Sequence, residues 1–125
     1  MITQVINVNE ILKQALLFDF YGELLTDHQK EIYGQFLLED LSLGEIARDA
    51  GISRQGVHDS VKRCEQALAG YEEKLHLVEK FSVASARLTE VMTCIDELKE
   101  MNTDERLDSK IEEIVKLSGS IIDEF

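Results

Sequence analysis

Residues 43–61 read L-G-E-I-A-R-D-A-G-I-S-R-Q-G-V-H-D-S-V, and this stretch decides the fold. Ser42 stands just before it and Glu45 three residues further on, the reciprocal pattern that caps a helix N-terminus. Ile46 and Ala47 follow, and Gly51 offers a left-handed stop with no Cβ penalty. Two residues later Ser53 opens another helix. Helices joined so tightly cannot run antiparallel side by side. They cross steeply, and a short turn with a glycine marks a helix-turn-helix unit. Ala47 is expected to be small because the helices cross there. Ile46, Ile52, Val57 and Val61 are expected to lock them together. Ser53 caps the second helix and leaves its first turn free to face a partner.

The outward side of that second helix carries Arg54, Gln55, His58, Asp59 and Lys62, with Arg63 beside them. Arginine and glutamine are the types that read guanine and adenine edges in a major groove, while Lys62 and Arg63 suit phosphates. The candidate nucleic-acid contacts are therefore Arg54, Gln55, His58, Lys62 and Arg63. Within 53–63, three basic residues face the single acid Asp59, a net of +2 in a chain whose formal net charge is -12. The chain as a whole is too acidic to bind nucleic acid by blanket attraction, so any such contact must be local. The same helical unit also serves elsewhere as a protein or RNA contact.

Upstream, Asn9 reads as a cap for a helix carrying Ile11, Leu12, Ala15, Leu16, Leu17 and Phe18, stopping near a left-handed Gly22. Residues 1–6 read as a frayed tail. Thr26 and Gln29 form a second capping box, ahead of Ile32, Tyr33, Phe36 and Leu37. Downstream, Leu77, Phe81, Ala84, Leu88, Val91, Ile95 and Leu98 recur at alternating gaps of four and three, a heptad seam. An earlier run, Leu68, Tyr71, Leu75 and Val78, joins it out of phase, as a stutter would. Met101-Asn102-Thr103 looks like a break, with Thr103 capping a last helix. That helix shows Leu107, Ile111, Ile114, Val115, Leu117, Ile121 and Ile122 on a broad face.

The division expected is a helix-turn-helix domain over 1–66 and a C-terminal helical hairpin or dimerisation segment over 67–125. Its boundary is placed within 64–72, with Gly70 the weak point. Residues 67–125 hold 7 basic and 14 acidic residues, so a dimer joined through them would be helped by salt. Packing within one chain satisfies the seam equally well. With 125 residues, 44% of them hydrophobic and no proline at all, an all-α protein with long uninterrupted helices is expected.

Several functions find no support. The longest apolar run, Ala15–Phe18, is far too short for a membrane span, and no basic residue precedes Lys13 in a way that suggests a secretory signal. With nothing pointing to export, Cys64 and Cys94 are expected to be reduced thiols in the cytoplasm. His28, His58 and His76 are isolated, with no metal-ligand spacing to either cysteine. Glu72-Glu73 and Glu112-Glu113 read as solvated helix faces. No glycine-rich phosphate loop is present. No catalytic residue, metal or cofactor is expected.

L-T-D-H-Q-K-E-I-Y at 25–33, D-L-S-L-G-E-I-A at 40–47 and G-I-S-R-Q-G-V-H-D-S-V-K-R-C-E at 51–65 together resemble the YlxM family of small bacterial proteins. The resemblance runs over about residues 10–80. The helix-turn-helix part is similar to region four of bacterial sigma factors, which reads promoter DNA. What the resemblance implies is a DNA-binding regulatory protein taking part in the signal recognition particle pathway. The alternative is an adaptor that touches the protein or RNA components of that particle. One departure stands inside the recognition helix: Gly56 occupies a position where the family often has alanine, at about 1 kcal/mol of helix propensity.

Overall fold

The computed structural model describes residues 8–125. The tail expected over residues 1–6 lies outside the described residues. The chain is all-α. Its helices are α1 (Val8–Tyr21), α2 (Asp27–Leu37), α3 (Leu43–Ala50), α4 (Arg54–Leu75), α5 (Leu77–Met101) and α6 (Asp108–Asp123), with single 3₁₀ turns at Gly22–Leu24 and Glu105–Leu107. It divides into two compact units, Met1–Val78 and Glu79–Phe125.

In the first unit α1, α2 and α3 all pack on α4. Helix α4 presents Val57, Val61, Cys64 and Leu68 to them, each buried and spaced three or four residues apart. Facing these are Leu17 and Tyr21 from α1, Ile32 and Tyr33 from α2, and Ile46 and Ala47 from α3. Burying a Leu, Ile, Val or Phe side chain contributes about 1.5–3 kcal/mol, so this cluster is what holds the unit together. Phe18 meets Tyr33 edge-on at 5.6 Å, and Tyr33 donates a hydrogen bond to Gln14 Oε1 at 3.1 Å.

The helix starts follow the capping chemistry. Thr26 and Gln29 form a reciprocal capping box at α2, and Ser42 and Glu45 form another at α3. The start of α1 differs from the expectation, because Asn9 sits inside a helix that already begins at Val8. Gly22 is not left-handed either: the chain tightens into a 3₁₀ turn and leaves it through extended Leu25. What the glycine allows is proximity, since a Cβ there would stand 3.3 Å from the Phe18 ring.

Helix α4 runs unbroken through 64–72, Gly70 included, and ends at His76 in the left-handed region at φ 55°. The jump in apolar phase is therefore a helix end and not a stutter. Backbone and side chains from three elements converge there. The Tyr21 hydroxyl, almost fully buried, donates to Glu72 Oε1 at 2.6 Å and accepts from the Leu77 amide at 3.0 Å. Glu72 Oε1 also accepts from the Val78 amide at 3.0 Å. Two of the amides left open at the start of α5 are thus satisfied by side chains.

The second unit is a helical hairpin. Phe81 near the start of α5 meets Phe125 edge-on at 5.4 Å, and Lys99 near its end lies 3.7 Å from Glu112. Those two contacts make α5 and α6 antiparallel. Ile95, Ile111 and Ser118 are buried in it. A break is present at 102–104, but the last helix is not capped by Thr103: Asp104 caps the 3₁₀ turn, its carboxylate accepting from the Arg106 amide at 2.9 Å and holding the guanidinium at 2.7 Å, and α6 follows Leu107 without a side-chain cap. That pairing keeps the Asp104 carboxyl below its ordinary range.

Candidate nucleic-acid interface

The turn between α3 and α4 is built from two backbone features. Gly51 takes φ 71°, and its amide and that of Ile52 both donate to the Ala47 carbonyl, at 2.9 and 3.1 Å. A left-handed residue here would cost a side chain about 1–2 kcal/mol, which glycine avoids. Ser53 then caps α4, its Oγ accepting from the Gly56 amide at 2.9 Å. Ile46, Ala47, Val57 and Val61 are buried where the two helices cross. Ile52, expected to help lock them, is instead 37% exposed. It belongs to the turn, and its side chain lies over Gly56, within 3.6 Å of where a Cβ would stand.

The same periodicity that buries Val57, Val61 and Cys64 puts Arg54, Gln55, His58, Asp59, Lys62 and Arg63 on the exposed side of α4. They share one helix face, but their charges are not equally available. Gln55 donates to Asp59 Oδ1 at 3.0 Å, and His58 Nδ1 stands 3.8 Å from the same oxygen. Lys62 lies 3.8 Å from Glu65. Among the described residues, Arg54 and Arg63 have no carboxylate within ion-pair distance. Arg54 reaches back over the start of α3, its Cδ 3.9 Å from where a Gly44 Cβ would be.

Asp59 and Glu65 were not among the candidate site residues, yet they organise the face. The signal was present as spacing, since Gln55 to Asp59 is i to i+4 and Lys62 to Glu65 is i to i+3, the separations at which helical side chains meet. Exposed pairs of this kind contribute about 0–1 kcal/mol, so they orient side chains without locking them. Among the described residues no three His, Cys, Asp or Glu side chains are grouped to hold a metal ion. No helix among them is long and apolar enough to cross a membrane.

A capped short helix, a left-handed glycine turn and a second capped helix with a polar outer face define a helix-turn-helix protein. Residues 8–114 match the UPF0122 family, described as "Putative helix-turn-helix protein, YlxM / p13 like", and the chain belongs to that family. It is 51% identical over 89 residues to a UPF0122 protein of Desulforamulus reducens, covering 71% of this chain and 76% of the relative. It is 43% identical over 108 residues to one from a Thermoanaerobacter species, covering 86% and 92%. The UPF0122 protein YofM of Lactococcus lactis is 43% identical over 101 residues, covering 81% and 86%.

Proposed function

We propose that the chain is a cytoplasmic, non-catalytic regulatory protein that binds duplex DNA through the first three turns of α4. The observation that supports this most is the separation of faces on one capped helix: Val57, Val61 and Cys64 hold it to the core while Arg54, Gln55, His58, Lys62 and Arg63 stand outward. Arg54, next to the Ser53 cap and with no carboxylate beside it among the described residues, is assigned a base edge. Lys62 and Arg63, further along, are assigned phosphates. The reading includes a homodimer, which would bring two recognition helices into one molecule, as paired half-sites require. Its place in the signal recognition particle pathway is carried by the resemblance to the YlxM family.

One observation favours the adaptor reading, in which α4 touches the protein or RNA of that particle. Asp59 occupies the middle of the outward face and engages both Gln55 and His58. A carboxylate there opposes a phosphate backbone and suits a contact with fewer phosphates. Anisotropy titrations of the full chain with random genomic duplexes and with the particle's RNA separate the two. On DNA, Lys62→Ala should flatten the log-log salt dependence by about 0.9. Arg54→Ala should relax sequence choice by about 1–3 kcal/mol at one base pair. Duplex binding unchanged by both substitutions rejects the DNA reading.

A further inference from the structure

The second unit buries Ile95, Ile111 and Ser118 and little else. A two-helix unit of this size has too small an interior to be stable by itself. What it leaves outside is ordered. The line of α5 that meets α6 runs through Phe81, Leu88 and Ile95, and the line of α6 that meets α5 runs through Ile111 and Ser118. At 100° per residue, Val91, Cys94 and Leu98 fall on one flank of the first line. Ile114, Leu117 and Ile121 fall on the same rotational flank of the second. Antiparallel helices are related by a two-fold axis perpendicular to their common plane, which keeps matching flanks on one side of the hairpin. These residues therefore form one face, with the apolar side chains 41 to 60% exposed. A groove of about 400 Å³ runs along its α5 half between Arg87, Glu90, Val91, Cys94 and Leu98, with Ile95 at its inner edge. The opposite flank is polar, with Thr89, Thr93 and Asp96 on α5 and Glu112, Lys116 and Asp123 on α6.

We propose that this face receives the same face of a second copy of the chain, two hairpins closing into a four-helix arrangement. The charges select that occupant. Although the chain is strongly acidic, Lys80, Arg87 and Lys110 fall on this flank, with Glu90 and Glu113 at its outer edge, and Lys110 pairs with Glu113 at 3.1 Å. A basic partner helix would meet three like charges, whereas a second copy brings both signs. The area also fits. Half-exposed side chains of this number leave on the order of 400 Å² per copy, as large as the biggest patch on a typical monomer. With the flanking charges covered as well, two copies approach the roughly 1,200 Å² at which stable interfaces begin.

The inference deepens the dimer in the function proposed above and rests on it. Leu88 and Ile95 are used within the hairpin itself, so the contact between copies falls beside that line of the seam. Sedimentation equilibrium of the full chain at tens of micromolar tests it. The parent should run as a dimer. Leu117→Glu and Val91→Glu, both at exposed helical sites, should each weaken association by roughly a hundredfold or more, because each places two unpaired carboxylates in the contact, with helix content unchanged by circular dichroism. Should one variant lose helix, the other carries the test. Thr89→Glu, on the polar flank, should remain dimeric. Cys94 should react with a maleimide several-fold faster in Leu117→Glu than in the parent, while buried Cys64 stays silent in both. A parent of single-chain mass overturns the dimer and the face together. A dimer that persists in both face variants, or that Thr89→Glu dissociates, overturns the face and leaves the paired-helix reading standing.

Discussion

Replacing Tyr21 by phenylalanine removes one oxygen atom from the point where α1, the end of α4 and the start of α5 meet. The ring stays, and with it the apolar burial, so the change isolates the hydrogen bonds. Two are lost: the one donated to Glu72 Oε1 at 2.6 Å and the one accepted from the Leu77 amide at 3.0 Å. A hydrogen bond to a carboxylate contributes about 1.5–3 kcal/mol, and an amide left dry costs about 1–3 kcal/mol. Leu77 is 37% exposed, so water reaches its surroundings and the second cost falls at its lower end. The net loss expected is about 2 kcal/mol. For a cooperative unit of 60–100 residues that lowers Tm by about 8–16 °C. Thermal and urea melts of the full chain at neutral pH, followed at 222 nm, read this directly. Glu72→Gln supplies the other arm of a double-mutant cycle, and the two losses should fall short of additive because they share a bond. A Tyr21→Phe protein within 0.5 kcal/mol of its parent would refute the assignment of this contact as the lock on the α4 terminus.

Other outcomes follow from the same geometry. Ala47→Leu places three extra carbons where α3 crosses α4 and should cost about 1–3 kcal/mol in a urea melt; no loss would contradict the tight crossing. Gly56→Ala should raise stability by about 0.5–1 kcal/mol. Its new Cβ would stand 3.2 Å from Ser53 Oγ, but Gln29 and Glu45 occupy the same position under their own caps without difficulty. A fall in Tm there would show that the cap cannot yield. Burial, and for Tyr21 the bond to Glu72, raises the pKa of Tyr21 and Tyr33 above the ordinary phenol value. Their contribution is therefore whole below about pH 10 and is lost as pH climbs through the folded values. Stability against urea should decline above pH 10, and less steeply in Tyr21→Phe.

The features legible in the sequence and those that are not divide along a physical line. The caps at Thr26, Ser42 and Ser53 and the left-handed Gly51 were legible because each depends on groups within four residues of chain. The buried stripe Val57, Val61, Cys64 and Leu68 was half legible: helical spacing places Val57 and Val61 inward, and the same period extends to Cys64. Gly70 misled, because a glycine inside a helix weakens it by about 1 kcal/mol without ending it. The end came at His76, just where Tyr21 of α1 bonds Glu72 in the last turn of α4 and the Leu77 amide beyond it. No local pattern announces a lock whose members lie at positions 21, 72 and 77.

The candidate interface follows the same division. Sequence alone determined the all-α class, the helix-turn-helix turn, and which residues of α4 face outward, because these rest on local hydrogen bonding and the 3.6-residue period. Tertiary structure decided the rest. It placed Ile52 at the surface, beside Gly56 at the start of α4 and not among the buried residues of the crossing. It also decided which side of the Leu77–Leu98 seam is used within the chain. A heptad pattern states that a helix has an apolar stripe, and it is equally satisfied by a helix of the same chain or of another. Only the antiparallel register, set by Phe81 against Phe125 and Lys99 against Glu112, assigns Ile95 to the inside of the hairpin and leaves Val91, Leu98 and Leu117 outside.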